Sequence, residues 1–104
     1  MNNEYSLIFD KQFTKKFRKL DNSIQVEGEK KIKQLKQNPR GVGKPLKYFS
    51  NLFELHTRMY RIFYVVEEHR LRVLLLSIEH KDETDRYLKS LTTKRIKELI
   101  GENP

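Results

Sequence analysis

Residues 52–66 read LFELHTRMYRIFYVV, and this segment decides how the rest of the chain is interpreted. Its apolar and aromatic side chains alternate with polar ones, which predicts strands of a sheet with two different faces. Glu54, His56 and Arg61 fall among the apolar positions, and Arg58 begins the second of the two strands. A carboxylate, an imidazole and guanidinium groups in a core sheet indicate that one face of the sheet is an uncovered functional surface.

Three consecutive strands are expected in this half of the chain, at residues 52–57, 58–66 and 70–78. Residues 67–69 make the turn between the last two strands. The third strand is apolar on both sides at residues 73–76, which is typical of a strand in the interior of a sheet.

The N-terminal part of the chain predicts one strand and a first helix. Residues 5–9 alternate in polarity and read as a short strand. Asp10 is a suitable N-cap for the helix that follows. The apolar stripe of this helix consists of Phe13, Phe17 and Leu20.

A second helix is expected from Asp21 or Asn22 to about Gln37, with Gly28 inside its apolar stripe. A glycine costs about 1 kcal/mol of helix propensity, so its presence predicts that the first helix crosses closely at this point. The segment NPRGVGKP at residues 38–45 contains two prolines and two glycines, which predicts a loop.

The C-terminal part predicts a charged loop followed by short helices. The loop is expected at residues 79–85, and Tyr87 and Leu91 indicate a short helix after it. A further helical turn is expected to begin at Thr92 or Thr93.

The composition indicates a single domain spanning residues 1–104. Apolar residues make up 37% of the chain, charged residues 35% and aromatic residues 11%, which suffices for one modest core. We therefore expect an α+β fold in which an N-terminal strand and an α-hairpin precede a three-stranded antiparallel meander. The helices pack on one face of a four-stranded curved sheet, and a short C-terminal helix follows.

The chain has no cysteine, which excludes disulfides and thiolate metal sites. Its first residues, MNNEYSLIF, have neither the basic region nor the apolar run of a signal peptide. The longest apolar run, VLLL at residues 73–76, is far too short for a membrane span. We therefore expect a cytoplasmic protein that has no membrane partner.

The net charge is +8 and is distributed unevenly along the chain. Residues 1–50 contain twelve Lys and Arg against five Asp and Glu, whereas residues 51–104 contain ten against nine. An excess of positive charge favours a polyanionic partner such as a nucleic acid or an acidic protein. The alternative is that the lysines serve only solubility.

Two segments resemble the RelE/ParE superfamily of bacterial and archaeal toxins. PLKYFSNLFELHTRMYRIFYVV at 45–66 is similar to that family's Pro-Leu pair, its strand of alternating residues and its Tyr-Arg motif. SIEHKDETDRYL at 77–88 is similar to its final strand, which is followed by His-Arg or His-Lys and then by a tyrosine. The predicted order of elements also agrees with that family.

The resemblance implies one of two activities on the same fold. RelE-like members are ribosome-dependent endoribonucleases that cleave mRNA in the ribosomal A site by metal-independent attack of the 2′-hydroxyl group. ParE-like members poison DNA gyrase. The implied partners of a RelE-like chain are a cognate antitoxin, RelB-like, acidic and helical, and the 70S-type ribosome with its mRNA, without a metal or small-molecule cofactor. A third possibility is an inactive homologue that only binds antitoxin.

The resemblance also implies roles for individual residues. Arg61 matches the arginine of the Tyr-Arg motif and would bind the scissile phosphate, because its forked donors suit a phosphate. The alternative for Arg61 is a structural ion pair with Glu54 or Glu79.

Glu54 and His56 occupy alternating positions where the ribonuclease prototype carries basic residues, and this is a departure from the family pattern. Imidazole is a good base near neutral pH, and a neighbouring carboxylate would orient it, as in the YoeB-like relatives. The alternatives are a salt bridge from Glu54 to Arg58 or Arg72 and a plain polar role for His56.

The remaining candidates lie near the C-terminus and on the basic surface. Lys81 stands where the prototype has a catalytic arginine, and His80 is a second acid–base candidate or a loop residue without a role. Tyr87 matches the family's C-terminal tyrosine, which would stack on a base or orient the 2′-hydroxyl group, and its alternative is core packing. RNA contact is expected from Arg58, Lys44, Lys47, Arg40, Lys33 and Lys36, with Lys15, Lys16, Lys19 and Lys30 as further basic residues, unless these are solvated helix and loop positions.

Overall fold

The computed structural model of the protein describes residues 4–47, 49–91, 95–96 and 98. Within these residues no helix is long and apolar enough to cross a membrane. The elements in chain order are β1 (Ser6–Phe9), α1 (Lys11–Phe17), α2 (Asn22–Gln34), α3 (Pro39–Val42), β2 (Lys44–Pro45), β3 (Leu52–His56), β4 (Tyr60–Glu67), a 3₁₀ turn (Glu68–Arg70), β5 (Arg72–His80), a second 3₁₀ turn (Lys81–Glu83) and α4 (Thr84–Ser90).

The strands form one sheet in the order β1-β5-β4-β3-β2, in which β1 runs parallel to β5 and the other pairs are antiparallel. The α+β class is confirmed, whereas the expected count of four strands is wrong by one. The extra strand is β2, which pairs Lys44 with Glu54 and Pro45 with Phe53. Its sequence reads as a loop because it is two residues long and holds a proline, which is tolerated at the edge of a sheet.

Several predicted boundaries are also corrected. The strand expected to begin at residue 58 begins at Tyr60, since Thr57 forms the turn: its Oγ1 accepts a hydrogen bond from the Tyr60 N–H at 3.0 Å. The loop predicted at 79–85 is wrong, because β5 continues to His80 and α4 begins at Thr84. The prediction ended this strand at residue 78 because the two residues that follow, Glu79 and His80, have polar side chains.

The helical hairpin packs on one face of the sheet as predicted. Asp10 caps α1 by accepting a hydrogen bond from the Gln12 N–H at 3.0 Å. At Gly28 a Cβ atom would lie 3.0 Å from Cε1 of Phe17, so α1 does cross α2 closely at this position. The buried residues of this face are Phe13, Ile32, Leu35, Phe53, Leu55, Ile62, Tyr64, Val66, Val73, Leu75 and Ile78.

The expectation that all helices pack on one face is wrong. Tyr87 of α4 and Leu91 after it cover part of the opposite face, together with Ile96. The further turn predicted from Thr92 or Thr93 lies largely outside the described residues. The strand residues beneath this cover are Leu52, Phe63, Val65, Leu74 and Leu76. Apolar cover therefore occupies the end of the second face next to the β4–β5 turn, and the other end carries polar side chains.

A β-bulge on β5 separates these two ends. Tyr64 pairs with Leu75 whereas Phe63 pairs with Ser77, so Leu76 is an extra residue on β5. A one-residue slip moves the following side chains to the other face of a sheet. As a result, Glu79 lies opposite Arg61.

Tyr64 connects the sheet to the segment that leads into β2. Its ring stacks on Phe53, with centroids 5.4 Å apart, and its hydroxyl donates a 2.6 Å hydrogen bond to the Pro39 carbonyl. Gly43 lies so close that a Cβ there would be 2.2 Å from the Tyr64 hydroxyl. Burial raises the pKa of Tyr64 to about 12, because the charged phenolate is disfavoured there.

We expect the Tyr64→Phe substitution to cost about 1 kcal/mol at pH 7, since one buried hydrogen bond is lost. A tyrosine whose pKa is raised on folding stabilises the fold fully below its unfolded pKa of roughly 10, and this contribution is lost as the pH rises towards the folded value. The stability difference between wild type and Tyr64→Phe should therefore shrink above pH 10, as measured by urea denaturation from pH 7 to 11. Tyr5→Phe, at a partly exposed position, is the control. A difference that stays constant over this range contradicts the assignment.

Candidate active site

Pairing of the three longest strands brings polar residues into one row. His56 on β3 pairs with Arg61 on β4, and Arg61 pairs with Glu79 on β5. We call His56, Arg61 and Glu79 the polar row. Adjacent strands lie about 4.8 Å apart, so the row spans about 10 Å across the sheet. The polar row occupies the end of the second face that α4 leaves uncovered.

Glu54 and His56 form a hydrogen-bonded pair on β3. They are two residues apart and share a face, and the distance from His56 Nε2 to Glu54 Oε2 is 2.9 Å. Lys31 of α2 donates a 2.7 Å hydrogen bond to the His56 carbonyl, which fixes the backbone at this position. The alternative of a salt bridge from Glu54 to Arg58 or Arg72 is wrong. The Glu54 carboxylate instead lies within hydrogen-bonding distance of the imidazole.

Arg58 and Arg72, the two expected partners of Glu54, form ion pairs with other carboxylates. Arg58 lies 3.8 Å from Glu27, and Arg72 lies 2.6 Å from Glu67. The Arg58 side chain is 84% exposed, so its ion pair contributes little to stability.

Arg61 is held by the backbone and not by a carboxylate. Its Nη1 donates to the carbonyls of Thr57 at 2.9 Å and Tyr60 at 3.0 Å. The alternative of an ion pair with Glu54 or Glu79 is therefore wrong. In the described part of the chain, Nε and Nη2 of Arg61 make no hydrogen bond. This edge of the guanidinium is the fork that binds phosphate oxygens in a bidentate manner.

Lys81 and His80 follow the polar row at the end of β5. The Lys81 N–H donates to the Met59 carbonyl at 2.8 Å, which ties the second 3₁₀ turn to the β3–β4 turn next to Arg61. The Lys81 side chain is exposed. His80 pairs with Tyr60, so its side chain lies on the opposite face from Arg61. The structure thus brings Lys81 close to the polar row and does not bring His80 there.

His80 has a local structural role. Its ring meets Tyr60 edge to face, with centroids 5.5 Å apart. Its Nδ1 accepts a hydrogen bond from the Asp82 N–H at 3.1 Å, which caps the 3₁₀ turn. Both contacts are sufficient reasons for a histidine at this position.

Tyr87 lies at the border between the apolar cover and the polar row. Its side chain is 8% exposed, and its ring packs on Phe63 with centroids 4.8 Å apart. Burial raises the pKa of Tyr87, and the carboxylates of Glu79 and Asp10 raise it further. Lys16 Nζ lies 6.0 Å above the ring. Core packing is therefore established for Tyr87, and a part in RNA binding stays a prediction.

The sequence interpretation missed three residues of the site. Glu79 accepts hydrogen bonds through Oε2 from Lys16 Nζ and from Ser77 Oγ, each at 2.5 Å. Lys16 had been assigned to the basic surface of the first helix. Alternation of Ser77 and Glu79 on one strand is a signal that could have revealed a polar face of β5. The contact with Lys16 depends on the packing of α1 and carries no signal in the sequence.

The predicted RNA-binding residues are spread over the molecule. Lys44 pairs with Glu54 across β2 and β3, and Arg58 lies in the turn between β3 and β4, so both are near the polar row. Arg40 instead binds Asn51 and Glu68 near the opposite end of the sheet, at 2.7 and 2.8 Å. Lys33 and Lys36 line a groove between β1 and α2, and Lys47 is exposed after β2.

Within the part of the chain that the structure describes, no group of three or more His, Asp or Glu side chains is arranged to hold a metal ion.

Comparison with known sequences identifies the family. Residues 7–85 match the family described as the ParE toxin of type II toxin–antitoxin system, parDE. The chain belongs to this family of toxins. The resemblance of residues 45–66 and 77–88 to the RelE/ParE superfamily is thereby confirmed. A search of curated protein sequences gives no significant match.

Solved structures of RelE toxins have the same fold as this member of the family. A free E. coli RelE with two arginines replaced by alanine is 26% identical with a TM-score of 0.74, and the match covers 89% of this chain and 98% of that one. The toxin in the intact E. coli RelBE toxin–antitoxin complex is 26% identical with a TM-score of 0.69, over 73% and 95%. The RelB–RelE complex from Methanococcus jannaschii, at 18% identity and a TM-score of 0.64 over 77% and 96%, supports the fold alone.

We expect Tyr87→Ala to destabilise the protein by about 3–5 kcal/mol, because an aromatic ring is lost from a packed cluster. Tyr87→Phe keeps the ring on Phe63 and should change stability by at most about 1 kcal/mol. Urea denaturation of both variants tests this, with Met59→Ala at an exposed site as control. A cost below about 1 kcal/mol for Tyr87→Ala would show that the ring is not part of the core.

Proposed function

We propose that the protein is a ribosome-dependent endoribonuclease that cleaves mRNA without a metal ion and so inhibits translation. The observation that carries this proposal is the Glu54–His56 pair directly beside the free fork of Arg61 on the uncovered end of the sheet. A base and a phosphate-binding cation side by side are the two groups that 2′-hydroxyl attack needs first.

The hydrogen bond to Glu54 fits His56 for the role of general base. When the Nε2–H group of His56 donates a hydrogen bond to the Glu54 carboxylate, the neutral imidazole is the tautomer whose Nδ1 carries the lone pair. Nδ1 would then remove the proton of the 2′-hydroxyl group as its oxygen attacks the adjacent phosphorus. Glu54 would stabilise the imidazolium that forms.

Arg61 and Lys81 would act on the phosphate. The guanidinium fork binds two non-bridging oxygens and stabilises the charge of the phosphorane. As the P–O5′ bond breaks, the leaving oxygen takes a proton, which the ammonium group of Lys81 would donate. The products are a 2′,3′-cyclic phosphate and a 5′-hydroxyl end.

An acidic, helical antitoxin is the proposed protein partner. A groove between β1 and α2 is lined by apolar side chains that include Phe9, which is 46% exposed, and by charged residues of both signs, Glu4, Glu29, Lys33 and Lys36. An exposed apolar groove suits an amphipathic helix, and the net charge of +8 favours an acidic one. The RelE toxins in the solved RelBE complexes are bound to their antitoxins, which supports this partner.

Arg61→Ala should abolish toxicity and mRNA cleavage, because the phosphorane would lose its bidentate cation. The test is induced expression followed by primer extension on cellular mRNA, comparing wild type with Arg61→Ala. Arg70→Ala, which removes an arginine from the 3₁₀ turn before β5, is the matched control and should cleave as wild type does. If the Arg61→Ala protein cleaves mRNA as wild type does, the proposal is wrong.

The same experiment separates the two alternatives. The name of the matched family favours a ParE-like protein, which would block DNA supercoiling and leave mRNA intact. An inactive homologue would bind antitoxin tightly and show no toxicity. The carboxylate at Glu54, where the ribonuclease prototype is basic, is the feature that keeps this second alternative open.

His56→Gln should lower the single-turnover rate of cleavage on programmed ribosomes by about 10²–10⁴-fold, the usual contribution of a general base. Glu54→Gln should have a smaller effect, because the amide oxygen still accepts from Nε2 but does not stabilise the imidazolium. His69→Gln, in the 3₁₀ turn at the other end of the sheet, is the control. Equal rates for His56→Gln and wild type would assign the base to another residue.

A further inference from the structure

A cleft adjoins the polar row on the side of α1 and α4. It is lined by Gln12 and Lys16 of α1, by Glu79 of β5, by Glu83 just before α4 and by Arg86, Tyr87 and Ser90 of α4, and its volume is about 350 Å³. Sites for small ligands typically occupy roughly 300–1,000 Å³, so the cleft has the size of such a site. The proposed reaction uses Arg61, Lys81 and the Glu54–His56 pair, and it assigns no chemical step to the residues of this cleft.

Glu79 is one of the residues that line this cleft. Its Oε2 is held by both Lys16 Nζ and Ser77 Oγ, whereas Oε1 accepts no hydrogen bond from any residue that the structure describes. The side chain is 13% exposed, so Oε1 belongs to a carboxylate that is largely withdrawn from solvent. Two donors on one oxygen fix the orientation of the other, which makes Oε1 a preorganised acceptor.

The negative charge of Glu79 is compensated by the neighbouring ammonium group of Lys16. An isolated carboxylate beside the phosphate site would repel RNA, but Lys16 forms an ion pair with Glu79 and cancels its charge. The carboxylate therefore keeps its capacity to accept a hydrogen bond while adding little repulsion towards a polyanion. An acceptor of this kind is suited to a neutral donor and not to a phosphate.

We propose that Glu79 is a specificity-determining residue, whose Oε1 accepts a hydrogen bond from the exocyclic amino group of an unstacked nucleobase in this cleft. The inference rests on the proposed RNA cleavage and names the base that the site selects. Because Arg61 and Glu79 are paired across β4 and β5, the cleft takes a base next to the scissile phosphate. Proteins read single-stranded RNA through such base edges.

Cytosine and uracil are the pair of bases that isolates this interaction. The two have nearly the same shape, and they differ at position 4, where cytosine has an amino donor and uracil a carbonyl acceptor. A carboxylate accepts from the cytosine amino group, whereas it meets the uracil carbonyl as acceptor against acceptor. Sites built around one polar contact reject an analogue that leaves the contact unpaired.

The test is single-turnover cleavage on ribosomes programmed with mRNAs that carry cytosine or uracil at each A-site codon position in turn. At one position wild type should cleave the cytosine mRNA about tenfold faster, the effect of roughly 1.4 kcal/mol from one base contact. Glu79→Gln should remove this preference, because its amide can offer either a donor or an acceptor. Glu68→Gln, which removes a carboxylate in the turn between β4 and β5, should keep it.

Two cleavage results overturn the inference. One is equal rates for cytosine and uracil at every codon position in wild type. The other is a preference that Glu79→Gln leaves intact, including a uniform slowing of all mRNAs, which would assign Glu79 a structural role only. Denaturation midpoints of each variant establish that the proteins compared are folded.

A binding measurement separates failure of this inference from failure of the proposed function. Amide NMR titration of the full chain with cytidine and uridine monophosphate should show tighter binding of the cytidine nucleotide, with shifts at Gln12, Ser77 and Glu79 that Glu79→Gln abolishes. If wild type cleaves no mRNA but shows this selectivity, the proposed function fails and the inference stands. If it neither cleaves nor discriminates between the two nucleotides, the inference is overturned as well.

Discussion

The β-bulge on β5 is the constraint on which the arrangement of the site depends. Continuous pairing from the β4–β5 turn would place Ile78 opposite Arg61 and turn Glu79 towards the helical hairpin. With Leu76 as the extra residue, Glu79 lies opposite Arg61 and Ile78 enters the core on the other face. One inserted residue therefore decides which face of the sheet carries a carboxylate and which carries an isoleucine.

Both carboxylates at this end of the sheet have hydrogen-bonding partners. Glu54 is engaged by His56, and Glu79 is engaged by Lys16, so each carboxylate has a partner within hydrogen-bonding distance. Arg61 lies between them and is bonded to backbone carbonyls, so its charge is not matched by a carboxylate of any described residue. The polar row consequently offers its positive charge at its centre, where a phosphate would meet it.

The fold alone does not distinguish the activities within the toxin family. Function belongs to the side chains that a fold presents, and the same sheet serves a nuclease or a gyrase-binding protein. In this chain Glu54 and His56 put a carboxylate and an imidazole at positions where the ribonuclease prototype carries basic residues, and the Arg61 guanidinium lies beside His56. This combination favours acid–base chemistry with a conventional base, and it sets this protein apart from a purely cationic site.

The sequence by itself determined the α+β class, the helical hairpin with its cap at Asp10 and its crossing at Gly28, and the strands that carry His56 and Arg61. The strands and helices follow from the local periodicity of apolar residues, the cap follows from the side chain of Asp10, and the helix crossing follows from the lack of a side chain at Gly28. Each of these signals can be read from residues that are close together in the chain. Only the tertiary structure decided the fifth strand, the position of α4 on the second face, the separation of His80 from the polar row and the contact of Lys16 with Glu79. These depend on strand register and on packing between distant segments, because an alternating pattern specifies two faces but not which residues of neighbouring strands lie opposite each other.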